Sequence, residues 1–285
     1  MPEPSPSRIF APGLLDGRVC IVSGAGTGLG RATALELAAL GATVVGCGRR
    51  PEPLEEMVAE VSGARGKAES ETLDIRDDEG VDAFFDGVLE RHRRLDLLVN
   101  NAGGQFMSPA EAISPKGFRT VIELNVTGTW LMTHAAATKA FIPQRSGKVV
   151  SVTISPHNGM PGMVHSGAAR AAVENMMRTL SIEWSRFNVK LCAIAAGQFD
   201  TETLRTKYPK PVAENVHRTV PLQRLGTEEE MAWLIAYLAS PAGDFVSGAV
   251  LTLDGARDNW FGAWPPTGAA DEAGEPLAEE RRSKP

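Results

Sequence analysis

Ser23-Gly24-Ala25-Gly26-Thr27-Gly28-Leu29-Gly30 is the stretch from which the rest of this chain can be read. It follows the apolar run Arg18–Ser23 and leads into a helical pattern, Arg31–Leu40. Glycines let the backbone turn tightly and approach a phosphate closely. A helix start adds free N–H groups and the positive end of the helix dipole. A glycine-rich turn that leaves a strand and opens a helix early in the chain predicts a dinucleotide site.

Outward from this turn, short apolar runs alternate with helical patterns. The runs are Arg18–Ser23, Thr43–Cys47, Ala68–Leu73, Leu95–Asn100, Lys148–Thr153, Lys190–Ala195 and Ala249–Leu253. They are rich in Val, Ile and Leu with little polar alternation, as expected of parallel strands covered on both faces. Helical stretches such as Pro53–Val61 and Val81–Arg91 fall between them. The alternation predicts a doubly wound, Rossmann-like three-layer α/β sandwich: a seven-stranded parallel sheet with helices on both faces. Right-handed crossovers then put ligands at the carboxyl ends of the strands.

Residues 14–256 form the expected single domain, with a substrate lid at about 200–220. Residues 1–13 are expected to be a flexible arm and 257–285 an extended tail containing Trp and Pro. No internal repeat is found. With 285 residues, 43% of them hydrophobic, the chain can bury a sizeable core. The net charge of −6 argues against nucleic acid and against anionic membranes. No apolar run reaches the roughly 20 residues that span a bilayer, and MPEPSPSRIFAPG lacks the pattern of a secretory signal. Cys20, Cys47 and Cys192 lie in apolar runs without CxxC spacing, so they read as buried small hydrophobes. No metal site is expected, and the setting reads as reducing and cytoplasmic.

The second strand ends Val45-Gly46-Cys47-Gly48-Arg49-Arg50. An NAD-binding fold places an acid here for the ribose 2′-hydroxyl; this chain has Gly48 followed by two arginines. Arginine suits a 2′-phosphate, whose oxygens accept paired, charge-assisted hydrogen bonds. NADP(H) is therefore expected over NAD(H).

The spacing Gly24-x-x-x-Gly28-x-Gly30, followed in order by Asp74-Ile75, Asn100-Asn101-Ala102-Gly103, Leu124-Asn125-Val126-Thr127-Gly128 and Leu253-Asp254-Gly255-Ala256, resembles the short-chain dehydrogenase/reductase family. The resemblance covers roughly residues 14–256. It implies that Gly24, Thr27, Gly28, Leu29 and Gly30 cradle the cofactor, that Asp74 and Ile75 meet its adenine, and that Asn101, Ala102 and Gly103 line it. It places Gly197, Phe199 and Thr201 at the nicotinamide amide and Asn125 on the active-site helix. In this family that asparagine kinks its helix and holds a water through backbone groups, a role weighed beside direct contact with substrate.

The chain departs from the family where protons move. Aligning the Tyr-x-x-x-Lys helix puts Ser166 at the tyrosine and Arg170 at the lysine. The upstream serine falls near Ile154, with Thr153 and Ser155 as candidates, and the usual Pro-Gly reads Ala196-Gly197. Serine is a poor acid and arginine keeps its proton, so Arg170 can hold the ribose but cannot relay a proton. Reduction of a ketone needs an acid near the working pH. Replacement donors are sought at His157, His165 and Tyr208; Tyr237, in an apolar helix, is expected in the core.

The stretch from Asn101 to Glu111 (NAGGQFMSPAE) and His165–Ala171 resemble a subgroup, peroxisomal trans-2-enoyl-CoA reductase and the 2,4-dienoyl-CoA reductases. The dienoyl-CoA enzymes also carry serine at the tyrosine position, but have a further tyrosine where this chain has Ser155. Hydride addition to an enoyl thioester gives an enolate, which needs hydrogen-bond donors at its oxygen and takes its carbon proton later. Ser166, with Asn125 and Arg170, would form that site. Three functions stay open: a 2-enoyl thioester reductase, a ketone or alcohol oxidoreductase with a replacement acid, and a cofactor-binding protein without hydride chemistry. The expected partners are a small-molecule substrate, an acyl thioester under the first of these readings, and copies of the chain in a homo-tetramer or dimer. The small residues Ala168, Ala169, Ala171 and Ala172 would allow close helix packing in that assembly, or equally inside one chain.

Overall fold

The computed structural model describes residues 7–155, 157–208 and 210–260. Its seven strands are β1 (Val19–Ser23), β2 (Thr43–Gly48), β3 (Lys67–Thr72), β4 (Leu97–Asn100), β5 (Gly147–Ile154), β6 (Val189–Ala196) and β7 (Val250–Leu253). They form one sheet in the order β3-β2-β1-β4-β5-β6-β7, and every pairing is parallel. The helices are α1 (Gly28–Ala39), α2 (Pro51–Gly63), α3 (Asp78–His92), α4 (Pro115–Ile122), α5 (Gly128–Ala136), α6 (Ile142–Gln144), α7 (Val164–Glu183), α8 (Glu202–Lys207), α9 (Lys210–Asn215) and α10 (Glu228–Ala239). This is the doubly wound sandwich that the alternating pattern predicts.

The central strands read as unbroken apolar runs because both faces are covered. On one face Leu37, Met57 and Ile235, from α1, α2 and α10, pack on Val22, Val44 and Ile194. On the other, Phe84, Phe85, Met132 and Met177, from α3, α5 and α7, pack on Ile21, Val45 and Leu98. Each such side chain taken fully from water stabilises the fold by about 1.5–3 kcal/mol. β3 is the exception to the apolar rule. Its sequence KAESET is half-exposed, because it pairs on one side only, with β2; charge on an edge strand discourages further pairing.

Helices begin earlier than their periodicity predicts. α2 opens on Pro51, and α3 starts at Asp78 behind Asp77, whose side chain accepts the Gly80 N–H. First-turn positions carry caps and prolines rather than apolar side chains, so the 3.6-residue pattern misses them. Part of the arm is fastened: Ser7 Oγ donates to Glu36 Oε1 at 2.5 Å, and Phe10 packs against the α1 face of the core. Arg257–Asn259 form a single 3₁₀ turn. Residues 1–6 and 261–285, including Trp264, lie outside the described residues. All three cysteines are free and buried. Among the described residues no helix is long and apolar enough to cross a membrane.

Candidate active site

The strand order reverses between β1 and β4, which opens a crevice above their carboxyl ends. A cleft of about 290 Å³ lies there, lined by Gly24, Thr27, Gly48, Arg49, Arg50, Asp74, Ile75, Ala102 and Gly103. Its floor needs glycine: Gly24 has φ +69°, and a Cβ on Gly30 would stand 2.1 Å from the Gly24 carbonyl oxygen. Asn101 holds this loop rather than pointing into the cleft. Its Nδ2 donates to Ser23 O at 3.0 Å and Gly24 O at 3.3 Å. The Asn101 and Ala102 N–H groups both donate to Ser23 Oγ. At the start of α1 the Thr27 side chain makes no capping bond, so the N–H groups behind Gly28 and Leu29 are left for an anion. The residues therefore fit a dinucleotide.

Arg49 and Arg50 are exposed on the rim, and neither makes an ion pair or hydrogen bond among the described residues. Asp74 is different. Both of its oxygens accept from Arg76, at 2.9 and 2.5 Å, and that pairing holds its carboxyl below the usual range.

Ser166 and Arg170, the residues expected at the reaction centre, lie on α7. Ser166 is fully buried. Its Oγ donates to Gln105 Oε1 at 3.0 Å, and its N–H donates to His165 Nδ1 at 2.8 Å. Gln105 Nε2 in turn donates to the Tyr208 hydroxyl at 3.1 Å. One turn along α7, Arg170 Nη1 donates to Val152 O at 3.0 Å, and its Nε is buried without a partner. Gly103 makes room for this guanidinium, since a Cβ there would sit 2.5 Å from Nη2. Arg170 has no carboxylate partner among the described residues, and burial pushes its pKa down to about 10.

Asn125 sits in a π-helical turn, Glu123–Thr127, between α4 and α5. Its Nδ2 donates to Val121 O and to Gly104 O, both at 2.8 Å, and its Oδ1 accepts the Gly104 N–H at 3.2 Å. Direct contact with substrate, the other role weighed for Asn125, is not what this geometry offers. The amide is spent on anchoring the loop that carries Gln105, the kind of duty a π turn near a functional site performs. On the far side, Gly197 N–H donates to Leu253 O at 2.9 Å. Phe199 is buried with its ring over Gly226. Thr201 caps α8 by accepting the Leu204 N–H.

The replacement donors sort by geometry. Both ring nitrogens of His157 meet carboxylates: Nδ1 meets Asp258 and Nε2 meets Glu174 Oε1 at 3.0 Å. Burial opposes the imidazolium, but Asp258 and Glu174 outweigh it and raise the His157 pKa above its ordinary value. His157 is thus a clasp rather than a free acid. Thr153 and Ser155 are committed in the same way, to Glu174 and Asp254. His165 is fully buried, edge-on to Phe106 at 4.4 Å. Tyr237 is 38% exposed, against the expectation of a core position. Ile235 and Leu238 point α10 inward, and a residue two beyond Ile235 lies on the opposite side of the helix. The Gln105 bridge and the carboxylates Glu174, Asp254 and Asp258 were not singled out by the sequence analysis. Glu174 carried a signal, since it falls at i+4 from Arg170 and i+8 from Ser166 on one helix face. Gln105 stood inside the quoted Asn101–Glu111 stretch, but nothing in its spacing pointed to Ser166 or Tyr208.

A family model described as "Enoyl-(Acyl carrier protein) reductase" matches residues 24–256. A probable 2,4-dienoyl-CoA reductase of Bacillus subtilis is 34% identical over 256 residues, covering 88% of this chain and 100% of that protein. A peroxisomal 2,4-dienoyl-CoA reductase of Pongo abelii is 33% identical, covering 92% and 88%. Among solved structures, a citronellol catabolism dehydrogenase of Pseudomonas aeruginosa superposes with TM-score 0.79 at 40% identity, covering 88% of this chain and 98% of that one. With a glycine cradle at the sheet's switch point and a matched family model over most of its length, the chain belongs to the short-chain dehydrogenase/reductase family of nicotinamide-dependent oxidoreductases.

Proposed function

We propose that this chain is an NADPH-dependent reductase of 2-enoyl thioesters. The observation that carries the reading is the pair at the reaction centre. Ser166 is buried with its proton given to Gln105, and Arg170 stands where a proton-relaying lysine would be. Neither can protonate an alkoxide as it forms. An enolate asks for less: hydrogen bonds at the thioester oxygen, and a carbon proton that water can bring afterwards. The relatives named as dienoyl-CoA reductases support the same substrate class.

The nicotinamide supplies hydride from its C4. Arg49 and Arg50 would grip the 2′-phosphate, and the free N–H groups at the start of α1 the diphosphate. Arg170 would hold the ribose against Gly103. Asn125 keeps the Gly103–Gln105 loop in place, and Ser166 holds the Gln105 amide on the oxyanion side. A second reading, a carbonyl or alcohol oxidoreductase, is favoured by the likeness to the citronellol catabolism dehydrogenase and by the phenol of Tyr208 near Ser166.

We also assign the chain to the cytoplasm, on its three reduced, buried cysteines, and to a homo-tetramer or dimer. Val164, Ala168, Ala171 and Ala172 form an exposed small apolar patch on the first half of α7 that suits helix packing between copies, whereas Ala169 is buried within the chain. The deciding assay follows NADPH oxidation by absorbance, with crotonyl-CoA and longer 2-enoyl-CoAs beside a panel of ketones. Turnover of the enoyl thioesters alone supports the reading. Turnover of ketones alone transfers it to the second. Tight NADPH binding with neither would point to the third function, without hydride chemistry.

A further inference from the structure

Ser166, Gln105 and Tyr208 form an unbroken chain of hydrogen bonds from the catalytic helix to the lid. Ser166 Oγ donates to Gln105 Oε1 at 3.0 Å, and Gln105 Nε2 donates to the Tyr208 oxygen at 3.1 Å. The direction of these bonds matters. The Ser166 proton is already committed to Gln105. The Tyr208 oxygen is an acceptor in its recorded bond, so its own O–H stays available. The lid around it is short: α8 ends at Lys207 and Tyr208 follows in extended conformation. His157 is closed off by Glu174 and Asp258, and His165 is buried under Phe106. Two of the donors considered keep an uncommitted proton: Tyr208, and His165, whose Nδ1 accepts the Ser166 N–H and whose Nε2 is buried without a partner; of these, Tyr208 is the one that Gln105 ties to the serine hydroxyl.

We propose that Tyr208 is the hydrogen-bond donor to the substrate's carbonyl oxygen, and that Gln105 is the residue that positions it. The inference rests on the reading of this site as a reductase, and it holds for either substrate class. As the β-carbon of an enoyl thioester gains the hydride, the C=C pair moves into the bond between the α-carbon and the carbonyl carbon. The C=O pair moves onto oxygen, where the Tyr208 O–H meets it. The α-carbon then takes one proton from water, so one hydride and one proton are consumed. On a ketone the same phenol gives its proton to the alkoxide and regains one from water. Gln105 serves both cases by holding the phenol oxygen from behind, which turns the O–H toward the substrate and keeps the lid on α7.

The test uses the full chain with NADPH, crotonyl-CoA and the ketone panel, and compares Tyr208→Phe, Gln105→Leu and Gln105→Glu. Tyr208→Phe should lower kcat about 100-fold, the scale of losing one oxyanion donor, while NADPH affinity, read by fluorescence, stays unchanged. Gln105→Glu is the discriminating variant. Its carboxylate accepts from both Ser166 and Tyr208, so the lid stays tied, but it takes the phenol proton away from the substrate. It should therefore keep wild-type hydrogen exchange over residues 202–208 and still lose kcat about as Tyr208→Phe does. Gln105→Leu should speed that exchange, and Tyr208→Phe should add nothing to it in the double variant. Full kcat in Tyr208→Phe or in Gln105→Glu overturns the proposal, as does additive exchange in the double variant. If the wild type reduces neither substrate class, the reductase reading falls on its own, and the exchange coupling still decides whether Gln105 ties Tyr208 to α7.

Discussion

Cofactor choice should be governed by three adjacent positions, Gly48, Arg49 and Arg50. Both arginines are exposed on the rim of the cleft; neither makes an ion pair or hydrogen bond among the described residues, and the one nearby acid that Arg49 acts on, Asp74, is itself bonded to Arg76, so a bound 2′-phosphate faces little competition for them. A charge-assisted hydrogen bond contributes about 1.5–3 kcal/mol, and exposed side chains belong at the low end because water screens them. Two such bonds amount to about 3 kcal/mol, or roughly 100-fold in affinity. Arg49→Ser with Arg50→Ser should therefore weaken NADPH about 100-fold and leave NADH at its wild-type value, since NADH lacks the phosphate. Gly48→Asp should go further. A Cβ there meets nothing nearer than Gly24 and Leu54 at 3.9 Å, so the acid is accommodated without strain. It would repel the 2′-phosphate and accept hydrogen bonds from a 2′-hydroxyl. Fluorescence titration of both cofactors at low and high salt measures this, and added salt should narrow the preference. Equal weakening of both cofactors in the double arginine variant would refute the argument, as would a wild type that binds NADH more tightly.

Gly30→Ala should lose cofactor binding and lower Tm, at a cost of about 1–3 kcal/mol or more. Its Cβ would meet the Gly24 carbonyl at 2.1 Å, a backbone atom that cannot rotate aside; an unshifted melting curve would sink this. Lys148→Met should cost about 2–3 kcal/mol in denaturant unfolding. Its ammonium donates to Leu238, Ala239 and Ser240 carbonyls at 2.9, 3.2 and 2.6 Å and pairs with Asp244 at 2.7 Å, closing the end of α10; an unchanged midpoint would contradict that role. His157→Asn should remove about 1 kcal/mol, discounted for partial exposure. Because the folded-state pKa of His157 is raised, this stability is fully present below the unfolded value of about 6.5. It fades as pH rises through the higher folded value. The gap between wild type and variant should thus be constant in acid and shrink in alkali, and a gap that widens with pH would rule the clasp out.

The fold was legible in the sequence because it is written in local patterns. Apolar runs of strand length, a glycine turn and alternating helices each reflect nearest neighbours, and burial on both faces explains why β1, β4, β5 and β6 read as apolar. β3 was legible only in position, since an edge strand is held by backbone bonds that leave no apolar trace. Cofactor-cleft residues were legible for a similar reason: tight turns and helix starts constrain residue type where they stand. The reaction centre was only half legible. Ser166 and Arg170 could be found by spacing along α7, but what they touch could not. Gln105 reaches Ser166 across 61 positions and Tyr208 across 103, and Asp258 meets His157 across 101. Such pairings arise where strand ends converge from distant parts of the chain, and no periodicity encodes them. The sequence alone therefore determined the sheet, the cradle and the departure from Tyr-x-x-x-Lys at Ser166 and Arg170. Tertiary packing decided that Asn125 anchors a loop, that His157 is a clasp, and that Gln105 links Tyr208 to Ser166.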